Sequence, residues 1–388
     1  MSERLFTPRF FLMCGFTFTV FLSAFQLLPT APFRILALGG TAATAGLFLG
    51  FLTYASALTA PVTGTLADRI GKRRILIVAS AAIAAFSLCY AVIDDYRVML
   101  ALVILHGCFW SGLLAASAAY ITDIVPAARR AEGISYWGLS TVFAIAIAPT
   151  LGLWIYGRGG WFLLCLGAAA LNLAMMGIAW SLPEESRRPA GATLAALRGR
   201  LVDWKVLALS VTLFLYSFGY GGITSFVALY ADANGVTPRA LYFAVFSAAI
   251  LVTRPFVARL GDQVGYRRVL LPCLLLIVIG FALLALGGTR PQLVVSALVF
   301  GTGFGSAYPL FAAYVMRRVA DDQRGAAFGS ILAAFDTGIG TGSIGVGWLV
   351  EHYGFQVGFG AAAALAALAL PYFLLADRWL APPVQRPL

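Results

Sequence analysis

The stretch Gly64-Thr65-Leu66-Ala67-Asp68-Arg69-Ile70-Gly71-Lys72-Arg73-Arg74 lies between two apolar runs, and its core returns 194 residues later as Asp262-Gln263-Val264-Gly265-Tyr266-Arg267-Arg268. Each copy carries an acid, a glycine three residues on, and a pair of arginines. Glycine suits a tight turn, and the basic cluster suits the cytoplasmic surface of a membrane. Asp68 ends an apolar run, where a carboxylate can accept from a neighbouring helix N-terminus. The offset is half of the 388-residue chain. At the same offset, without gaps, Pro61 meets Pro255, Gly107 meets Gly301, Tyr120 meets Tyr314, Arg130 meets Arg324, Trp154 meets Trp348 and Gly160 meets Gly354. These matches predict a duplicated unit.

The composition says what kind of unit. Apolar residues make up 61% of the chain, charged residues only 11%, and the mean hydropathy is +0.89. That supply fills roughly twelve spans of about 20 residues each. It exceeds what the interior of a soluble protein of this size can hide, and it excludes a disordered chain. The expected fold is all-α: a polytopic membrane protein of twelve transmembrane helices in two pseudo-symmetric six-helix halves. The N-terminal half takes residues 1–182, a cytoplasmic linker 183–205, and the C-terminal half 206–388. The first apolar run, residues 10–28, is too long for a signal-peptide core and lacks an Ala-x-Ala site, so it reads as a retained span.

The net charge of +11 then reports orientation rather than nucleic-acid binding. Of the 27 Lys and Arg residues, 21 fall on the side of both termini, 5 fall in the opposite loops, and Arg254 lies within a span. The positive-inside rule places both termini in the cytoplasm. The five cysteines, Cys14, Cys89, Cys108, Cys165 and Cys273, all sit in apolar stretches without a Cys-x-x-Cys pair. Neither a disulfide nor a metal site is expected. Only His106 and His352 are present, and no nucleophile–base pair suggests itself, so the chain does not read as an enzyme. Gly301-Thr302-Gly303-Phe304-Gly305 lacks the preceding strand of a nucleotide loop. Its spacing suits close helix crossing instead. No cofactor is expected. Paired six-helix halves are a transporter architecture, with the substrate near mid-membrane.

The loop at Gly64 to Arg74 closely resembles the signature loop of the major facilitator superfamily. The resemblance extends to span number, orientation and the degenerate second copy. It implies that Asp68 latches the two halves in the outward-facing state against the eleventh helix, with Gly64, Gly71 and Arg73 in support. Asp262, Gly265 and Arg268 occupy the matching positions of the second copy. In the fifth span, residues 138–144, Ala148-Pro149 and Gly152 resemble the antiporter helix motif of that family. Pro149 and Gly152 are its matching members, and Ala148 and Leu153 replace glycines. Small residues there also serve helix packing. Leu105-His106-Gly107, Asp123-Ile124-Val125-Pro126 and Arg129 to Gly133 resemble the bacterial efflux-permease branch, which implies an inner-membrane, monomeric exporter. Val103 stands where that branch carries an arginine.

Ionisable residues inside the bilayer are the sharpest functional pointers. Asp336 falls near the centre of the eleventh span, residues 326–350, where a charge costs about 2.5–3.5 kcal/mol on insertion scales. The neutral acid avoids that cost, which makes Asp336 the first candidate for proton carrier; a structural cap of the glycine-rich stretch after it is the other reading. His106, in the fourth span, has the chemistry of proton exchange and equally that of a packing residue. Arg254, in the eighth span, residues 241–257, either snorkels to the headgroups or pairs with Asp336 or an anionic substrate. By resemblance the first, fourth, seventh and tenth helices line the cavity, and they carry Gln26, Trp110, Tyr216, Tyr220 and Tyr308. Aromatic groups with polar tips suit an amphipathic small solute. The expected function is proton-coupled export of a small organic solute by alternating access; a proton symporter or uniporter for uptake is the alternative reading, and a non-transporting membrane sensor a more distant one.

Overall fold

The structure, a computed structural model, describes residues 5–126, 129–183, 203–319 and 323–379. Among the described residues every regular element is helical. In chain order these are α1 (Pro8–Leu27), α2 (Ala31–Ala37), α3 (Ala42–Ile70), α4 (Lys72–Val92), α5 (Tyr96–Ile124), α6 (Arg130–Ser181), α7 (Trp204–Ala233), α8 (Leu241–Val264), α9 (Tyr266–Leu286), α10 (Arg290–Met316), α11 (Arg324–Tyr353) and α12 (Phe355–Ala376). Side chains start several of them. Thr7 accepts from the Phe10 amide, Asp95 from the Arg97 amide, and Asp203 from the Lys205 and Val206 amides. Such caps satisfy amides that have no partner within the helix.

Ten of the described helices are long and apolar enough to cross a membrane. One of them is α6, whose 52 residues extend about 78 Å at 1.5 Å per residue, far more than one bilayer core of about 30 Å. It bends at Gly160, where φ 66° and ψ −168° leave the helical region, and so supplies two spans. With the 30-residue α11, the layout is twelve spans.

Three details depart from the sequence reading. The fifth and sixth spans are joined with no loop, because one left-handed glycine is enough to turn the chain. The second span, expected over residues 41–62, runs on to Ile70, and the eighth, expected to continue to about Leu260, runs on to Val264, since polar residues near the headgroups need no apolar partner to stay helical. A short helix, α2, follows the first span. The linker residues 184–202 lie outside the described residues.

The chain divides into two compact units, Met1–Gly40 with Phe51–Gly191, and Thr41–Gly50 with Ala192–Leu388. In the first, α1 packs on α6 and α4 packs on α5 and α6; in the second, α7 packs on α11 and α12, and α10 on α8 and α9. The duplication is visible in atoms. The ideal Cβ of Gly107 would lie 2.5 Å from the Leu52 carbonyl oxygen and 2.8 Å from Ala55 Cβ. The ideal Cβ of Gly301 would lie 2.7 Å from the Phe246 carbonyl oxygen and 2.9 Å from Ala249 Cβ. Each residue of the second set is 194 positions after its counterpart. Gly71 and Gly265 turn with φ 107° and 101°, and Gly160 and Gly354 with φ 66° and 86°.

Candidate substrate and proton site

In the C-terminal unit a cluster of aromatic rings includes Phe335, the residue next to Asp336. Asp336 is the thirteenth residue of α11 and is half-buried. Phe335 beside it meets Tyr308 of α10 with ring centroids 4.9 Å apart, the planes inclined at 54°. Tyr308 lies close enough to Asp336 for the carboxylate to act on its hydroxyl electrostatically. Behind these two half-exposed rings lie Phe304, whose ring is 6.1 Å from that of Phe335, and Tyr216 of α7, edge-on to both at 5.8 and 6.3 Å. Tyr220 stacks on Phe304 at 4.3 Å. Close helix approach holds this wall together. The ideal Cβ of Gly338 would fall 2.7 Å from the Phe214 carbonyl oxygen, and Ser217 Oγ donates to the Phe335 carbonyl at 3.0 Å.

Two polar groups in this cluster stand without partners among the described residues. The Tyr216 hydroxyl is buried and makes no hydrogen bond. The Asp336 carboxylate takes part in no hydrogen bond or ion pair with a described residue, and in particular no ion pair joins it to Arg254. Arg254 is half-buried on α8, immediately before Pro255.

The other expected site residues lie in the N-terminal unit. His106 is buried; its Nδ1 is 3.3 Å from the Tyr90 hydroxyl of α4, and its ring centroid is 5.8 Å from that of Phe86. Trp161 Nε1 donates to the Tyr90 carbonyl at 2.7 Å, fixing the residue that meets His106. Gln26 is buried, with Nε2 donating to the Leu22 carbonyl at 3.0 Å and Oε1 unpartnered among the described residues. Trp110 meets Phe21 edge-on at 5.5 Å. Gly152, three residues after Pro149 in α6, lies flat on α1, its ideal Cβ 2.7 Å from the Gln26 carbonyl oxygen.

The two signature loops use one pair of positions with exchanged chemistry. Gly71 and Gly265 cap α4 and α9. In the first copy Lys72 pairs with Asp123. In the second the same positions hold Tyr266 and Arg317, with the guanidinium 5.6 Å from the ring centroid. Tyr266 also donates to Asp262 at 2.5 Å, while Arg73 donates to the Trp180 carbonyl at 2.5 Å. Gly64 has open space where a Cβ would stand, and Arg268 is exposed. Asp68 lies in the last turn of α3; its side chain falls outside what is described.

One contact had no sequence signal. Glu351, in the last turn of α11, accepts from the Ala43 amide at 2.9 Å, at the start of α3. The Thr41 hydroxyl and the Ala43 amide hold its carboxyl below the ordinary glutamate range. Below this clasp, Ser343 Oγ donates to the Gly46 carbonyl at 2.8 Å, so Thr41–Gly50 docks along α11.

Comparison with known proteins agrees with this architecture. The sequence model described as Major Facilitator Superfamily matches residues 12–244 and 209–387. The chain is 27% identical over 347 residues to the uncharacterized MFS-type transporter YhhS of Escherichia coli, covering 86% of this chain and 83% of that protein. It is 26% identical over 350 residues to YhhS of Salmonella paratyphi C, covering 86% and 84%. Among solved structures, a mutant of the nucleoside transporter NupG superposes with a TM-score of 0.78 at 15% identity, over 95% of this chain and 100% of that one. A bacterial homologue of the human lysosomal transporter Spinster gives 0.78 at 15% identity, over 98% of each. Similarity at that level establishes the shared fold.

Proposed function

The chain belongs to the Major Facilitator Superfamily, a multi-pass membrane transporter and not an enzyme, and from that premise we propose that it exports a small organic solute in exchange for protons. The observation that carries the reading is Asp336: a carboxyl group at the middle of a membrane-spanning helix, half-buried and without a bonding partner among the described residues. A group in that position is a functional residue by default. It takes up a proton on one side and releases it on the other, while the solute moves the opposite way. The halves at 1–182 and 206–388, joined by the cytoplasmic linker 183–205, rock about the site. The 21-to-5 division of basic residues supports an inner-membrane protein with both termini in the cytoplasm.

The test is an imposed pH gradient across proteoliposomes holding the purified protein, with labelled lipophilic cations, sugars and small chelators offered outside. Exchange predicts that a solute accumulates when the lumen is acidic, as protons leave. Accumulation only when the lumen is alkaline would identify a symporter and overturn the export reading. His106, within hydrogen-bond distance of Tyr90, takes the lesser role of a polar packing residue in this scheme.

A further inference from the structure

Arg254 places a permanent charge inside a membrane span, and its role rests on the transport reading above. It stands thirteen residues after Leu241 and ten before Val264 in α8, about 20 and 15 Å from the two ends by helical rise. Among the described residues its side chain has no ion pair and no hydrogen bond. It is half-buried, and its nitrogens are not sealed off as Arg34 Nε and Arg73 Nε are. An ionised side chain at such a depth pairs with a partner or faces a water-filled cavity.

The packing of α8 on α10 fixes the face that Arg254 occupies. Phe246 and Ala249 meet Gly301, Ile250 meets Gly305, and Gly261 meets Leu310. Arg254 lies about 40° from Ile250 and about 20° from Gly261 around the helix, and so on this seam. Val252 and Phe256, exposed apolar residues, lie about 160° away and suit the lipid. Apposed residues of the two helices differ by 49–55 in number, so Tyr308, half-exposed, falls in the stretch of α10 level with Arg254. Helical side chains lean towards the N-terminal end of their helix. Arg254 therefore leans away from the nearer surface, where Gly265 to Arg268 turn, and the other surface is about 20 Å off. That geometry does not suit snorkelling.

A guanidinium keeps its proton in proteins, so it holds a counter-ion and does not ferry protons. Its planar fork of donors matches a carboxylate through two parallel hydrogen bonds. No carboxylate of a described residue stands within ion-pair distance of it, Asp336 included. A cation would be repelled, a neutral sugar would leave the charge unbalanced, and one guanidinium balances one negative charge. We propose that the solute is an amphipathic organic monocarboxylate, its carboxylate bound by Arg254 at the seam of α8 and α10 and its apolar body beside the half-exposed ring of Tyr308.

The experiment is thermal unfolding of the full chain in phosphatidylcholine nanodiscs, since a ligand stabilises the state it binds. The probes are benzoate, salicylate and indole-3-acetate, each run beside its neutral amide of nearly the same shape. At least one acid is expected to raise the unfolding temperature saturably while its amide does not. Arg254→Gln should weaken that binding at least about tenfold, equivalent to 1.4 kcal/mol. Arg254→Lys, which keeps the charge and loses the fork, should fall between the two. An amide that stabilises as well as its acid, equal acid binding by folded Arg254→Gln, or silence of all three acids would overturn the proposal. So would an Arg254→Gln phenotype confined to stability in phosphatidylglycerol, which marks a headgroup anchor. Where Arg254→Gln does not fold, Arg254→Lys and the acid-against-amide comparison on wild type decide. The two readings fail separately. Gradient-driven accumulation of a sugar or lipophilic cation with the acids silent refutes the carboxylate and keeps the transporter. Arg254-dependent acid binding with no gradient-driven movement of any solute refutes the exchange and keeps the site.

Discussion

A carboxyl group and a phenol without partners are each expensive inside a membrane helix bundle; among the described residues Asp336 and Tyr216 have no hydrogen-bond partner, and the Tyr216 ring meets Phe335, next to Asp336. A buried hydroxyl with no hydrogen bond costs about 1–3 kcal/mol. Tyr216→Phe is therefore expected to leave the ligand-free protein as stable as wild type, or more stable by about 1 kcal/mol. Thermal unfolding in detergent measures this, and a clear loss of stability would mean that the hydroxyl is bonded after all. The polar members of the cluster were legible in the sequence, because an Asp or a Tyr stands out in an apolar run. Phe304 and Phe335 were not. A phenylalanine in a membrane span carries no sign of which face it occupies, and only packing shows that these two rings meet each other and Tyr216. His106 was equally ambiguous on paper, and its contact with Tyr90 is invisible to local spacing because it joins two helices.

At the scale of helices, close crossings at glycine set the arrangement, and their equivalence in the two units makes a paired prediction. A methyl group at Gly107 or Gly301 would press on backbone carbonyls of α3 or α8 at 2.5 and 2.7 Å. Backbone gives way at a cost, so Gly107→Ala and Gly301→Ala should each destabilise the protein by about 1–3 kcal/mol. The two sites lie in different units, and the double variant should lose the sum within about 0.5 kcal/mol. Chemical unfolding of the four proteins decides it; a neutral single variant would contradict the crossing geometry. The Glu351 clasp gives a pH prediction. Its carboxyl is held below the ordinary range by bonds that the charged form accepts more strongly than the neutral acid, so its contribution is present above that range and fades as pH falls through the lowered value. Glu351→Gln should therefore lower the unfolding temperature at neutral pH, and the gap to wild type should close in acid. A gap that stays constant with pH would rule the clasp out. Helix existence was legible from apolar runs, and the turns from Gly71 and Gly265. The bend at Gly160 was not legible, because a single glycine carries too little local signal to show that two spans share one ribbon. Glu351 and Ala43 are 308 residues apart, and no local pattern links them.

For the whole molecule, the 194-residue repeat was the decisive sequence feature, since one offset matches helix starts, turn glycines and crossing glycines alike. Its divergence matters as much. Lys72 and Asp123 in one copy are Tyr266 and Arg317 in the other, so the fold keeps the contact while the chemistry is free to change. The latch assigned to Asp68 belongs to this scale. Asp68→Asn should raise the accessibility of single cysteines introduced on the cytoplasmic side of the path and lower it on the opposite side. Unchanged labelling would count against a latch. The central claim is that Asp336 couples solute movement to protons. The measurement that tests it most directly is solute accumulation by proteoliposomes with an acidic lumen, comparing wild type with Asp336→Asn at equal protein content and confirmed folding. The account predicts accumulation by wild type and its loss in the variant, at least about tenfold (1.4 kcal/mol). Undiminished accumulation by Asp336→Asn would show that the proton travels by another group.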